Sequence, residues 1–232
     1  MLTQNDLKNL EEHITGHAAF KWYSPQGERE IRASYRKFQN EFNNYQPGNI
    51  NTFNLLLQGI WNVVFQWDNT RKGGPDMDTN IRQLYSDTFD AIINCMQACK
   101  TSAHLYEQNI SNAILFNGTL YRILCDISAS DVIYSDKYYS YSFHPHIPEY
   151  EGYECYCGVI ATTNTQPGIN IAGVYQVYSE LQHETYLCRE YEHEVIFPMK
   201  RADIQQLIEF NDAQLLNGDW TKGGASWQNV KF

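Results

Sequence analysis

Arg189-Glu190-Tyr191-Glu192-His193-Glu194-Val195-Ile196-Phe197-Pro198 is the stretch that decides how this chain reads. Residues i and i+2 of a strand share a face, so Glu192 and Glu194 project side by side at a strand entrance. Val195, Ile196 and Phe197 carry the strand into a core, and Pro198 is expected to end its ladder. Two like charges held close repel and push one pKa upward, a cost that is usually kept where the pair performs chemistry. The alternative for the same residues is a solvated strand entrance with no further role.

Outward from this stretch, the chain divides by periodicity. Upstream lie helical patterns: Leu7, Leu10 and Ile14 at +3 and +4 steps, then Ile31, Tyr35, Phe38 and Phe42. Tyr45-Gln46-Pro47-Gly48 breaks that second helix. The apolar run Thr52–Trp67 and the 3–4 rhythm over Thr79–Lys100 read as two more helices. Beyond residue 100 strands are expected at Leu120–Cys125, Tyr138–Phe143, Tyr153–Thr163 and Ile169–Tyr178, the last after a Pro167-Gly168 turn. Met199–Phe210 reads as a short helix, and the tail as loop anchored by Trp220 and Trp227. The fold class is therefore α+β, with a helical subdomain over 1–78 ahead of a strand-bearing core over 79–232.

Composition narrows the functions. With 17 Lys+Arg against 27 Asp+Glu the net charge is −10, so no basic stripe is available for nucleic acid or an anionic membrane. No run of roughly 18 apolar residues occurs, so no bilayer span is expected, and the N-terminus lacks the pattern of a cleavable signal. Six cysteines without such a signal read as reduced thiols. Lys72-Gly73-Gly74 lacks the spacing of a phosphate loop. His144, His146, Cys155 and Cys157 are zinc-type ligands, but Cys-x-Cys on one strand is not knuckle spacing, and no metal is expected. His183 and His193 have no nucleophile in an elbow motif to serve.

Three short motifs occur in order: Tyr121-Arg122, Ser140-Tyr141-Ser142 and Glu192-His193-Glu194. Together with Ile92-Ile93-Asn94, Gln166-Pro167-Gly168 and Glu194–Pro198, they resemble the Arg–Ser–Glu class of mono-ADP-ribosyltransferases over roughly residues 85–200. The resemblance implies a split β-sheet around an NAD cleft, and transfer of ADP-ribose from NAD, a co-substrate, to a protein side chain. Arg122 would bind the pyrophosphate through its fork of donors, with Tyr121, Ile123, Ser142 and Tyr153 as further cofactor contacts. Ser140 would orient the catalytic glutamate. Glu194 would hold the nicotinamide ribose and stabilise the developing cation, and Glu192 would deprotonate the acceptor, by default an arginine.

The chain departs from the pattern in three places. Ile123 stands where a glycine is usual, Tyr141 stands for threonine, and the motif spacing is short before Ser140 and long after it. Thr162-Thr163 competes as the middle motif, and Glu190/Glu192 as the acidic pair. The resemblance further implies a monomeric bacterial effector or toxin, secreted without a cleavable signal and acting on a host cytosolic protein. Tyr150 is a second candidate for stacking on nicotinamide, and Tyr186 for contacting the target. The rival reading is a non-enzymatic module that binds a partner protein and needs none of Arg122, Ser140 and Glu194 together.

Overall fold

The computed structural model describes residues 25–68, 79–125, 127–143, 156–182 and 194–210. Glu192, Tyr153, Tyr150, Tyr186, both histidine pairs, Cys155, the Leu7–Ile14 helix and the tryptophan tail lie outside these residues. Among these residues four helices come first, α1 (Pro25–Asn44), α2 (Ile50–Asp68), α3 (Thr79–Lys100) and α4 (Leu105–Ile114). Strands β1 (Leu115–Phe116), β2 (Thr119–Cys125), β3 (Ser135–Ser142), β4 (Tyr156–Thr162) and β5 (Gly168–Asn170) follow. Helix α5 (Ile171–Gln182) then leads on to β6 (Glu194–Met199) and β7 (Ile204–Phe210). The chain is α+β, as its periodicity predicts. Among the described residues no helix is long and apolar enough to cross a membrane.

The helices obey local rules. Ile31 and Phe38 are the buried pair of α1, and Glu28–Arg32 closes an i,i+4 ion pair at 2.8 Å on its exposed face. Asn49 caps α2, its Oδ1 accepting the amides of Asn51 at 3.1 Å and Thr52 at 3.3 Å. The turn before it needs Gly48, whose φ of 80° is a left-handed conformation costly for other residues. Helix α2 presents Phe53, Leu56, Leu57, Ile60, Val63, Val64 and Trp67, and α3 presents Tyr85, Phe89, Ile92, Ile93 and Met96, to one shared core.

The strands form a curled seven-stranded antiparallel sheet in the order β1-β5-β6-β3-β2-β4-β7. Its helix-covered face contributes Tyr138, Ile169 and Ile196 to the helical core. Its other face closes on a second core of Leu120, Tyr141, Val159, Val195, Phe197 and Met199. Strand β6 is therefore buried on both faces, which is why Val195–Phe197 reads as an uninterrupted apolar run. It passes through Pro198, opposite Tyr138, and ends at Met199, one residue later than the proline predicts.

Two element expectations are corrected. Ile169–Tyr178 is not one strand: β5 stops at Asn170 and α5 begins at Ile171. The β-branched Ile171, Val174 and Val177 favour a strand locally. Yet Ile171, Val174, Tyr175 and Tyr178 lie on a helical face that is buried, and packing outweighs propensity. Met199–Phe210 is not a helix: a 3₁₀ turn at Arg201–Asp203 leads into β7. Its helix-like spacing comes from a bulge, since Ile160 pairs Gln206 but Ala161 pairs Ile204, leaving Gln205 as an extra residue. Helix α4 carries no clear sequence signal because Asn109, Ser111 and Asn112 are poor helix formers.

Where α5 crosses α4, a Cβ on Gly173 would lie 2.0 Å from the carbonyl oxygen of Ala113, a backbone atom that cannot swing aside. Gly173→Ala should therefore push the helices apart and destabilise the fold by about 1–3 kcal/mol. A lowered urea midpoint with an unchanged slope would register the loss.

Candidate functional site

The sheet is joined at its middle by a thin seam. Strand β2 pairs with β4 along its whole length, from Thr119↔Thr162 to Cys125↔Tyr156. Strand β3 pairs with β6 from Ser135↔Met199 to Ser142↔Glu194, with a register shift between Ser135 and Tyr138. Between these half-sheets β2 and β3 share one rung among the described residues, Tyr121↔Ser142. Beyond it they diverge, and backbone groups that a continuous ladder would occupy face the gap.

The three motif strands are thus neighbours, β2 with Arg122, β3 with Ser140 and Ser142, and β6 with Glu194. Of the two candidate middle motifs, Ser140-Tyr141-Ser142 lies beside β6. Thr162 is on β4, separated from β6 by β3 and β2. Cross-strand partners share a face, so Tyr121, Ser142 and half-buried Glu194 form one row across the seam. Ser140 lies on the same face, opposite Ile196. Glu194 is the first residue of β6. Ile123 is half-buried and opposes Gly158.

Arg122 alternates to the opposite face of β2 and turns into the gap. Its Nη1 donates to the backbone carbonyl of Ser140, the group left facing the gap by the divergence. The guanidinium lies 5.1 Å from the ring centre of Tyr139 and 6.0 Å from that of Tyr141, within cation–π range. Its Nε is buried without a hydrogen-bond partner. No carboxylate among the described residues is ion-paired to it.

Two further side chains at the seam are not marked by the sequence pattern. Arg82 of α3, only 7% exposed, donates through Nη1 to the Tyr139 hydroxyl at 3.2 Å and lies 5.5 Å from the same ring centre. Two guanidinium groups thus converge on one ring. Trp67, at the end of α2, donates its indole N–H to Ser140 Oγ at 3.1 Å. Its ring is held edge-on against Tyr85 and Phe89, each at 5.1 Å.

Tyr138 anchors the other end of β3. Its hydroxyl donates to Asp90 Oδ1 at 2.5 Å and accepts from Gln166 Nε2 at 2.6 Å. Gln166 Oε1 accepts in turn from Lys200 Nζ at 2.7 Å. Burial, reinforced by the Asp90 carboxylate, pushes the Tyr138 phenol well above its ordinary range. Burial does the same to Tyr141, whose hydroxyl has no partner. Among the described residues no group of three or more His, Cys, Asp and Glu could hold a metal ion, and Cys157 is buried in β4.

Comparison with protein family models, with curated proteins and with solved structures gave no match.

Because the fold favours the protonated phenols, Tyr138 and Tyr141 contribute stability that is fully present below the unfolded tyrosine value, about 10. It is lost as pH rises through their higher folded values. Urea midpoints should fall as pH is raised above about 10. The fall should be shallower in Tyr138→Phe.

Proposed function

We propose that this chain is an NAD-dependent mono-ADP-ribosyltransferase built on a split β-sheet. The supporting observation is the adjacency of β2, β3 and β6, which brings the Arg, Ser and Glu motifs together where the sheet divides. Motifs separated by long stretches of sequence need not have met, and a partner-binding module has no need for them to meet.

The proposed roles follow the chemistry of each group. The dinucleotide lies across the seam, its nicotinamide ribose against Glu194 and its pyrophosphate at the gap. There the Arg122 guanidinium, beside the Tyr139 ring, supplies donors for the diphosphate. The Glu194 carboxylate accepts the ribose hydroxyl and stabilises the positive charge that grows at the anomeric carbon as nicotinamide leaves. Ser140 and Ser142 hold the glutamate's strand and side chain. Glu192 removes the proton of the attacking acceptor, an arginine guanidinium in the default reading. The acceptor sits on a protein of a host cell, and the chain acts as an effector or toxin.

Incubation with labelled NAD and a cell lysate tests this. The wild-type protein should transfer label to protein and release nicotinamide, and Glu194→Ala should reduce both by about a hundredfold or more. Arg122→Leu should raise KM for NAD. Equal behaviour of wild type and Glu194→Ala would favour the partner-binding module instead.

A further inference from the structure

We infer that Ser142, not Ser140, is the positioning residue that orients Glu194, and that Ser140 instead ties the motif strand to the helical layer through Trp67. The inference rests on the reading of Glu194 as the catalytic carboxylate. The register carries it: Ser142 is the direct cross-strand partner of Glu194, whereas Ser140 opposes Ile196. Direct partners have Cβ atoms about 4.5–5.5 Å apart, and diagonal neighbours about 7–8 Å. The glutamate side chain is long enough to reach either position, but the directly opposed hydroxyl of Ser142 is the nearer and needs no diagonal extension.

The Ser140 hydroxyl has another task. An indole N–H can only donate, so Ser140 Oγ is the acceptor in its 3.1 Å contact with Trp67. Trp67 is 1% exposed and clamped between Tyr85 and Phe89, so it cannot re-aim to release the serine. The Ser-x-Ser spacing then has a physical reason. Two hydroxyls on one face of β3 divide the work, one held by the helices beneath and one facing the carboxylate at the strand's end.

Two measurements test this, one of them independent of turnover. In urea-unfolding double-mutant cycles, Ser142→Ala with Glu194→Gln and Ser140→Ala with Trp67→Phe should each shift the midpoint by less than the sum of the single changes. Ser140→Ala with Glu194→Gln should be additive. In nicotinamide release from NAD, Ser142→Ala should lower kcat at least tenfold further than Ser140→Ala does, with KM unchanged, and Ser142→Thr should restore most of it. Additivity of Ser142→Ala with Glu194→Gln, or a greater kcat loss in Ser140→Ala, overturns the inference. Absence of nicotinamide release from the wild type overturns the enzymatic reading, and the cycles then decide the Ser142 assignment alone.

Discussion

Burial of β6 on both faces is the constraint on which the rest depends. A strand whose Ile196 faces the helices and whose Val195 and Phe197 face the sheet's own interior needs two cores, one on each side. The helices supply the first and the curl of the sheet supplies the second. Each buried aliphatic or aromatic side chain contributes about 1.5–3 kcal/mol relative to exposure, so the strand's position is firmly set. Glu194 is carried to the end of this fixed strand and stays half-buried.

The same curl explains the seam. The sheet's second core is enclosed by its own two halves, and among the described residues the β2–β3 ladder is reduced to one rung between them. Side chains span what the ladder leaves open, with Arg122 reaching a main-chain carbonyl and Tyr139 receiving one guanidinium from the sheet and another from α3. A chain of net charge −10 has abundant carboxylates, yet none among the described residues neutralises Arg122.

What could be read in advance follows from how far each signal reaches. The stretch Val195–Phe197 was legible because double burial leaves an apolar run that few other arrangements produce. Helices α2 and α3 were legible because a single buried face imposes a 3.6 period over five or more turns. Helix α5 was not, because its β-branched residues argue for a strand and only packing on α2 and α4 argues against it. Strand β7 was disguised by one bulged residue. At the site, the strand motifs stood out, but the roles of Trp67 and Arg82 did not. Each acts on a residue far along the chain, 73 positions away for Trp67 and 57 for Arg82. No local pattern encodes a contact at that distance, or the place where a ladder stops.

The lone rung between Tyr121 and Ser142 also sets the mechanics of the molecule. A continuous antiparallel ladder resists bending through many main-chain bonds acting in concert. One rung offers less of that stiffness, so the angle between the half-sheets depends also on the core that both halves share. Arg122, reaching the Ser140 carbonyl and the Tyr139 ring from across the gap, is the side-chain tie beside that rung. Substitutions there would alter the angle between the half-sheets while leaving each of them intact.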